Sequence, residues 1–455
     1  MHSLRLSIDA SHTACSGKST GIERVVRNLC QHLPILAREA GIESAHVATH
    51  IGSHFFSVDA PQQNALDTIS RWEANAQQFV PGWIQAGPRW LSRSLGWRKA
   101  SRWLEPAPSH LGMYKTAHRL TKWGMKRARV MRGGPICPRN DHALILPDAY
   151  WAKRDIWPSV ARYRQSGSMI VSVVYDLIPL SHPEFVGQKR SDKFRIYLDD
   201  LIEHSDVIVA ISETVRDDVH QYIRETRPTL PSPELHAFTL GAEMRECSGP
   251  VRREIESLFS PSTSHPPYLM VASIDPRKNH VQALDAFEIL WQSLPQAKLC
   301  FVGRIGKQCA DLVRRVQSHP RFGRQLFLIS DMTDAELQYA YQGCAAVLLP
   351  SVVEGFGLPI VESLWHGKKT LASDTPIHRE VGGDACEYFP LHDPQSLAEA
   401  MARWEKQRQD PSTLPSQPRR FVPATWNQSA RQFLDIVRDA ALRRQRPKQS
   451  AGRAA

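Results

Sequence analysis

Short apolar runs that end in polar residues recur along this chain in two series. This alternation limits the available folds more than any other feature. The first series is "LRLSID" at 4–9, "ALILPD" at 143–148, "MIVSVVYD" at 169–176 and "DVIVAIS" at 206–212. The second is "YLMVAS" at 268–273, "KLCFVG" at 298–303, "QLFLIS" at 325–330, "AAVLLPS" at 345–351 and "KTLASD" at 369–374. Leu4, Leu6 and Ile8 alternate as on a strand, while "IVSVVYD" is nearly continuous in Val and Ile, as strands buried on both faces are. Helices are expected between the runs. One starts at about Gly21, and another over 280–293 sets Val281, Leu284, Phe287 and Trp291 on one side. Thr333 and Glu336 make a capping box for the helix in "DAELQYAYQG". The stretch "SGPVRREIESLFSPSTSHPP" at 248–267 reads as a linker between the series. Two βα series of similar length predict an α/β protein of two doubly wound domains facing across a cleft. Ligands then belong at the carboxyl ends of the strands.

Composition narrows the class. The 455 residues suffice for two or three domains. No apolar run approaches the roughly 18 to 20 residues of a membrane span, and "LRLSID" reads as a strand rather than a leader. The eight cysteines contain no CxxC pair, which suits a reducing cytosol better than a disulfide framework or zinc. The net charge of +11 is concentrated. From Arg89 to Arg132 there are twelve Lys/Arg against Glu105 alone, with Trp90, Trp97, Trp103 and Trp123 interleaved. Within it Lys115, Arg119, Lys122, Lys126 and Arg129 share one helix face. That pattern suits the surface of an anionic membrane, or a helix packed on its own domain. No recognition motif for nucleic acid accompanies it. Residues 52–140 read as an insertion carrying short helices, and 446–455 as a disordered tail.

The segment that carries chemistry is "PSVVEGFGLPIVESLWHG", Pro350 to Gly367. A buried strand ends at Pro350, and the loop Glu354-Gly355-Phe356-Gly357-Leu358 follows. Pro359 then suits the first turn of a helix. Gly355 and Gly357 let the backbone approach a ligand. Free N–H groups and a helix N-terminus favour bound phosphate there. Glu362 on that helix is also where the helix dipole alone would favour a carboxylate.

"EGFGLPIVES" resembles the E-x7-E motif of family 4 retaining glycosyltransferases, which have the GT-B fold and include mannosyltransferases. "ASIDPRKNH" is similar to the segment that opens their donor domain, and "TGIERVVRNL", "VVYDLIPLSHPEF", "ISETVRDDV" and "FTLGAE" extend the likeness through the first half. The resemblance implies metal-independent transfer of a sugar from a nucleoside diphosphate sugar, GDP-mannose favoured, to an acceptor hydroxyl with retention. The donor is a substrate, and no cofactor is implied. It implies that Glu354 holds the sugar, that Arg277 and Lys278 grip the diphosphate and that Glu362 holds the ribose. Gly355, Phe356, Gly357 and Leu358 complete the donor loop, and Lys307, after "FVGRIG", is a second candidate for the phosphate. Prearranged cations suit a leaving group that gains negative charge. The expected layout is an acceptor-side domain over 1–247, a linker over 248–266, a donor domain over 267–423 and a closing helix over 424–445 that packs back on the first domain. The expected acceptor is a lipid-linked sugar or a polysaccharide, handled in the cytoplasm at the inner face of the membrane. The family often has His-Asp where this chain has Tyr175-Asp176. A tyrosine is a poor base at neutral pH, so that histidine's role does not carry over, and Asp176 either binds acceptor or satisfies backbone N–H groups. A nucleotide-sugar epimerase of the same fold and an inactive binding protein are the alternatives.

Gly17-Lys18-Ser19 mimics the end of a P-loop. The pattern needs a glycine five residues earlier, and position 12 is His12. Gly21 is expected instead to let the backbone approach the acceptor side of the cleft, with Lys18 on a loop above it.

Overall fold

The structure, a computed structural model, describes residues 4–13, 21–58, 134–151, 154–244, 249–306, 308–410 and 421–445. The Trp-rich basic segment 89–132, Lys18, Lys307 and the tail 446–455 lie outside the described residues.

The first sheet has seven strands in the order β3-β2-β1-β4-β5-β6-β7. They are β1 (Arg5–Asp9), β2 (Ser44–Ile51), β3 (His54–Val58), β4 (His142–Leu146), β5 (Met169–Val174), β6 (Val207–Ala210) and β7 (Glu234–Ala237). β1 lies parallel between β2 and β4, with Ile8 opposite Val47 and Ile145. All six residues of β5 are buried, as its continuous Val/Ile run requires. The hairpin of β2 with β3 is antiparallel, Thr49 opposite Phe56. β3 falls inside the segment expected to be an insertion of short helices. Its Phe55 is fully buried against Tyr163, so tertiary packing holds a strand too short to declare itself. Helix α1 (Gly21–Glu39) follows the first loop, and α2 (Trp157–Gln165), α3 (Gln188–His204) and α4 (Glu213–Thr226) join the later strands.

The second sheet has six parallel strands in the order β10-β9-β8-β11-β12-β13. They are β8 (Tyr268–Val271), β9 (Leu299–Val302), β10 (Leu326–Ile329), β11 (Ala346–Leu349), β12 (Thr370–Ser373) and β13 (Cys386–Phe389). The connecting helices include α5 (Arg253–Leu258), α6 (His280–Ser293), α7 (Ala310–Gln317), α8 (Asp334–Gly343), α9 (Leu358–Trp365), α10 (Pro376–Gly382) and α11 (Pro394–Gln409). The capping box of α8 is present as expected. In α6, Leu284, Phe287 and Trp291 are buried but Val281 is exposed. The inward stripe runs through His280, Ala283, Leu284, Phe287 and Leu290, and Val281 sits one residue, about 100°, away from it. Residues 253–258, expected as linker, form α5. Ile255, Leu258 and Phe259 recur at helical spacing and pack with Leu269 and Tyr341 on the second sheet.

Helix α12 (Trp426–Gln445) ends the described chain. Its Phe433 meets Phe238 edge to face, 5.2 Å between ring centres, and Arg443 pairs with Glu234. Gly241 has no room for a side chain, since a Cβ there would lie 2.5 Å from the Trp426 nitrogen. The chain divides into two compact units, 1–172 and 173–455, with the division inside β5. Among the described residues no helix is long and apolar enough to cross a membrane.

Candidate active site

In the second sheet the strand order reverses between β8 and β11, so the loops leaving these neighbours diverge and open a crevice at their carboxyl ends. The loop after β8 makes a single tight turn, Pro276–Lys278. Asp275 starts it by accepting a hydrogen bond from the Arg277 backbone N–H at 3.2 Å, and Asn279 leaves it in the left-handed region at φ 57°. The turn presents Arg277 and Lys278 side by side. The loop after β11 is fastened to it, because the Val352 N–H donates to the Arg277 carbonyl at 2.8 Å.

Glu354 closes the arrangement. Its side chain is only 7 % exposed, and Arg277 Nη1 reaches Oε2 at 3.1 Å while Lys278 Nζ donates to Oε1. Ser351 Oγ donates to the same Oε1 at 2.8 Å, and Ser351 is itself held by Ser373. Burial alone would push the Glu354 carboxyl up, but Lys278 and Arg277 outweigh it and hold it at about 2. Burial pulls Lys278 down against the opposing pull of Glu354. Arg277 is raised, because Glu354 and Asp176 outweigh its own burial.

Gly355 is needed for close approach. A Cβ there would sit 2.2 Å from the Tyr175 carbonyl oxygen and 3.1 Å from the Asp176 Cβ. Ser212, the N-cap of α4, donates to the Gly355 carbonyl at 3.0 Å. The structure thus brings Tyr175 and Asp176 to the same loop as Glu354. Asp176 accepts from the Ile178 N–H at 3.1 Å, and burial raises its carboxyl with Arg277 opposing. Phe356 is buried, and Gly357, at φ 93°, turns the chain into α9, with Leu358 and Pro359 in its first turn. Glu362 on α9 is 4 % exposed and accepts from the Tyr341 hydroxyl at 2.7 Å.

In the unit 1–172, the loop after β1 shows why the P-loop likeness fails. The N–H groups of His12 and Thr13 donate to the Asp148 carboxylate at 2.9 and 3.0 Å, where a P-loop would offer such groups to phosphate. Asp9 accepts from Ser11 Oγ at 2.6 Å and from the Tyr150 hydroxyl, and burial beside Asp148 pushes it up to about 7. Gly21 opens α1 just beyond.

Residues 254–421 match the family described as Glycosyl transferases group 1. The chain is 30% identical over 277 residues to the serotype-specific mannosyltransferase WbdA of Escherichia coli, covering 59% of this chain and 34% of that protein. Residues 254–421 thus form a region similar to the group 1 glycosyltransferases.

This is a family of retaining enzymes whose members do not depend on a metal. A second relative is the O-antigen chain mannosyltransferase B of Escherichia coli, 23% identical over 218 residues, 47% of this chain and 55% of that one. The chain spans about a third of the length of the WbdA proteins and about half of the other. Among solved structures it resembles sucrose-phosphate synthase from Thermosynechococcus elongatus, with TM-score 0.50, 14% identity and 97% of both chains covered. The fold is GT-B, with two Rossmann-like α/β domains.

Sequence reasoning did not single out the residues that hold others in place. Ser351, Ser212 and Tyr341 belong to this group, as does Glu380, whose carboxylate accepts from the N–H groups of Glu213 and Thr214 at 2.7 and 2.8 Å. For Ser351 a signal existed, since a hydroxyl three residues before Glu354 is within local reach. For Tyr341 and Glu380 none did, because their partners are distant in sequence.

Proposed function

We propose that this glycosyltransferase moves a hexose, with mannose favoured, from a nucleoside diphosphate sugar to an acceptor hydroxyl with retention and without a metal. GDP-mannose is the favoured donor, and the acceptor is a lipid-linked or growing polysaccharide chain. Residues 267–423 serve as the donor side and residues 1–247 as the acceptor side. The observation that carries this reading is Glu354 ion-paired to Arg277 and Lys278 at the crevice between β8 and β11. The names of the Escherichia coli relatives, both mannosyltransferases, support the sugar.

In this reading the bond between the sugar's anomeric carbon and the diphosphate oxygen breaks, and its electron pair stays on the leaving oxygen. The acceptor oxygen bonds to the same face of the anomeric carbon, and its proton passes to the departing diphosphate. Arg277 and Lys278 offset the charge that develops on the leaving group, in a site partly shut off from water. Glu354, ionised down to about pH 2, cannot donate a proton at neutral pH. It is an acceptor for sugar hydroxyls, and it keeps the two cations in register. Glu362 takes the ribose hydroxyls, and the N–H groups of the 355–358 loop face the diphosphate.

The test is a transfer assay on the full chain with GDP-mannose and other nucleotide sugars, using short lipid-linked oligosaccharides as acceptors. Transfer is expected to continue in excess EDTA. Lys278→Ala should lose at least ~100-fold in kcat/KM. Absence of both transfer and donor hydrolysis across the panel would overturn the reading. Epimerised donor formed without acceptor would replace it with the epimerase, and activity restored to a chelated enzyme only by a divalent cation would refute the metal-free step.

A further inference from the structure

Tyr341 is the penultimate large side chain of α8, is fully buried, and has its ring packed among Phe259, Leu269 and Leu258. Its hydroxyl leaves that apolar cluster and donates to Glu362 Oε2 at 2.7 Å. On one face the ring stacks on His366, 5.5 Å between ring centres and 12° between planes. His366 is the C-cap of α9, so the same helix that carries Glu362 also clamps the tyrosine.

A buried phenol hydroxyl requires an acceptor, and a buried carboxylate requires donors. Neither requirement dictates that these two groups meet. Glu362 rides on a flexible three-torsion side chain in the second turn of α9, beyond the first turn where the helix dipole would favour its charge. Tyr341 has only two torsions, and its ring is held on its faces by the core and by His366. The rigid partner therefore contributes a fixed point to where the flexible one points.

We propose that Tyr341 is a positioning residue for donor binding: its hydroxyl orients the Glu362 carboxylate so that it meets the two ribose hydroxyls of the nucleoside diphosphate. This rests on the reading of Glu362 as the ribose ligand. A carboxylate set in advance loses less conformational freedom when the nucleotide binds. Discrimination between a ribose and a sugar lacking both hydroxyls is then the property that Tyr341 controls. The chemical step lies at the other end of the donor and is left intact.

The experiment is calorimetric binding of GDP and UDP to the full chain, each paired with its analogue lacking both ribose hydroxyls. The wild type should prefer the better-bound ribonucleotide over its analogue by roughly 100-fold. Glu362→Ala should abolish that preference. Tyr341→Phe should cut it to about 10-fold or less, raise the donor KM in parallel and leave kcat at saturating donor within about 2-fold. A merely structural role would lower the melting temperature and weaken ribonucleotide and analogue alike. If Glu362→Ala loses the preference while Tyr341→Phe keeps the wild-type ratio, the inference is overturned and the ribose reading survives. If Glu362→Ala keeps the preference, or the wild type binds neither nucleotide, the ribose reading fails and takes the inference with it. Should Tyr341→Phe not fold, Tyr341→Met, which also lacks the hydroxyl, gives the same readout.

Discussion

Glu354 and its two cations form a site that is stable only when complete. Taking a carboxylate out of water is costly, and the cost is met by Arg277, Lys278 and Ser351 together. Replacing Glu354 with Gln leaves Lys278 and Arg277 facing a neutral amide in a mostly buried position. Glu354→Gln is therefore expected to lower stability by about 3 kcal/mol at pH 7. The sign of its pH dependence follows from linkage. Glu354 has a folded pKa of about 2 against a reference of 4.5, so its contribution is fully present above about 4.5 and is lost as the pH falls toward 2. Urea midpoints of wild type and variant should differ at pH 7 and converge between those values. A gap that stays constant down to pH 2.5 would show that the ion triad is not its source. The place of Glu354, in a glycine loop after a buried strand, was legible in the motif. Its pairing with Lys278 was not, because the two are 76 positions apart and meet only when β8 and β11 become neighbours.

At the scale of elements, the same few devices recur. Side-chain oxygens satisfy helix N-termini at Ser212, Asp275, Thr333, Thr375 and Asp393, each a residue type that sequence rules favour there. Helix α4 departs from the rule by carrying two caps. Its own Ser212 binds the Val215 N–H, and Glu380 of α10 reaches across to the N–H groups of Glu213 and Thr214 and to the Thr214 hydroxyl. The carboxylate sits where the helix dipole favours negative charge. Because the contact is exposed, Glu380→Ala is expected to cost only about 1 kcal/mol. It should also accelerate amide exchange at Glu213 and Thr214 without changing exchange in the middle of α4. Unchanged protection at these two amides would rule out Glu380 as their cap. Ser212 as a cap is readable from "ISETVRDDV"; the second cap is a tertiary fact, supplied by a helix about 160 positions later.

For the molecule as a whole, both sheets use one topology. Each runs outward from a first strand, returns past it and continues, so each has a single point where the order reverses. The second sheet places its basic turn and its Glu354 loop there; the first places Asp9 and the Asp148 network at the equivalent point. Helix α12 belongs to this architecture. Trp426, Phe433, Leu434 and Val437 of α12 are buried, and Phe433 covers Phe238. Losing a buried aromatic typically costs 3–5 kcal/mol, so ending the chain at Pro423 should be severe. Thermal unfolding of that truncation is expected at least ~10 °C below wild type, or without a cooperative transition. A truncated chain with the wild-type midpoint would show that α12 contributes nothing to the fold.

The sequence by itself determined the class of fold and the chemical character of the site. Apolar runs such as "MIVSVVYD" and "AAVLLPS" can only be buried strands, and "EGFGLPIVES" with "DPRKNH" places carboxylates, glycines and cations after them. These are local properties, fixed by side-chain periodicity and by what backbone each residue tolerates. It did not reveal strands β2, β3, β7 and β13, which are partly exposed and so lack the continuous apolar run that marked the others. Nor did it show that α5 is core, or that Val281 faces water. Only the tertiary structure decided which cation meets Glu354, why Gly355 must lack a side chain against Tyr175, and that Tyr341 holds Glu362. Each of these depends on two segments brought together by sheet order, and the burial that makes the contact strong exists only once the sheets have formed.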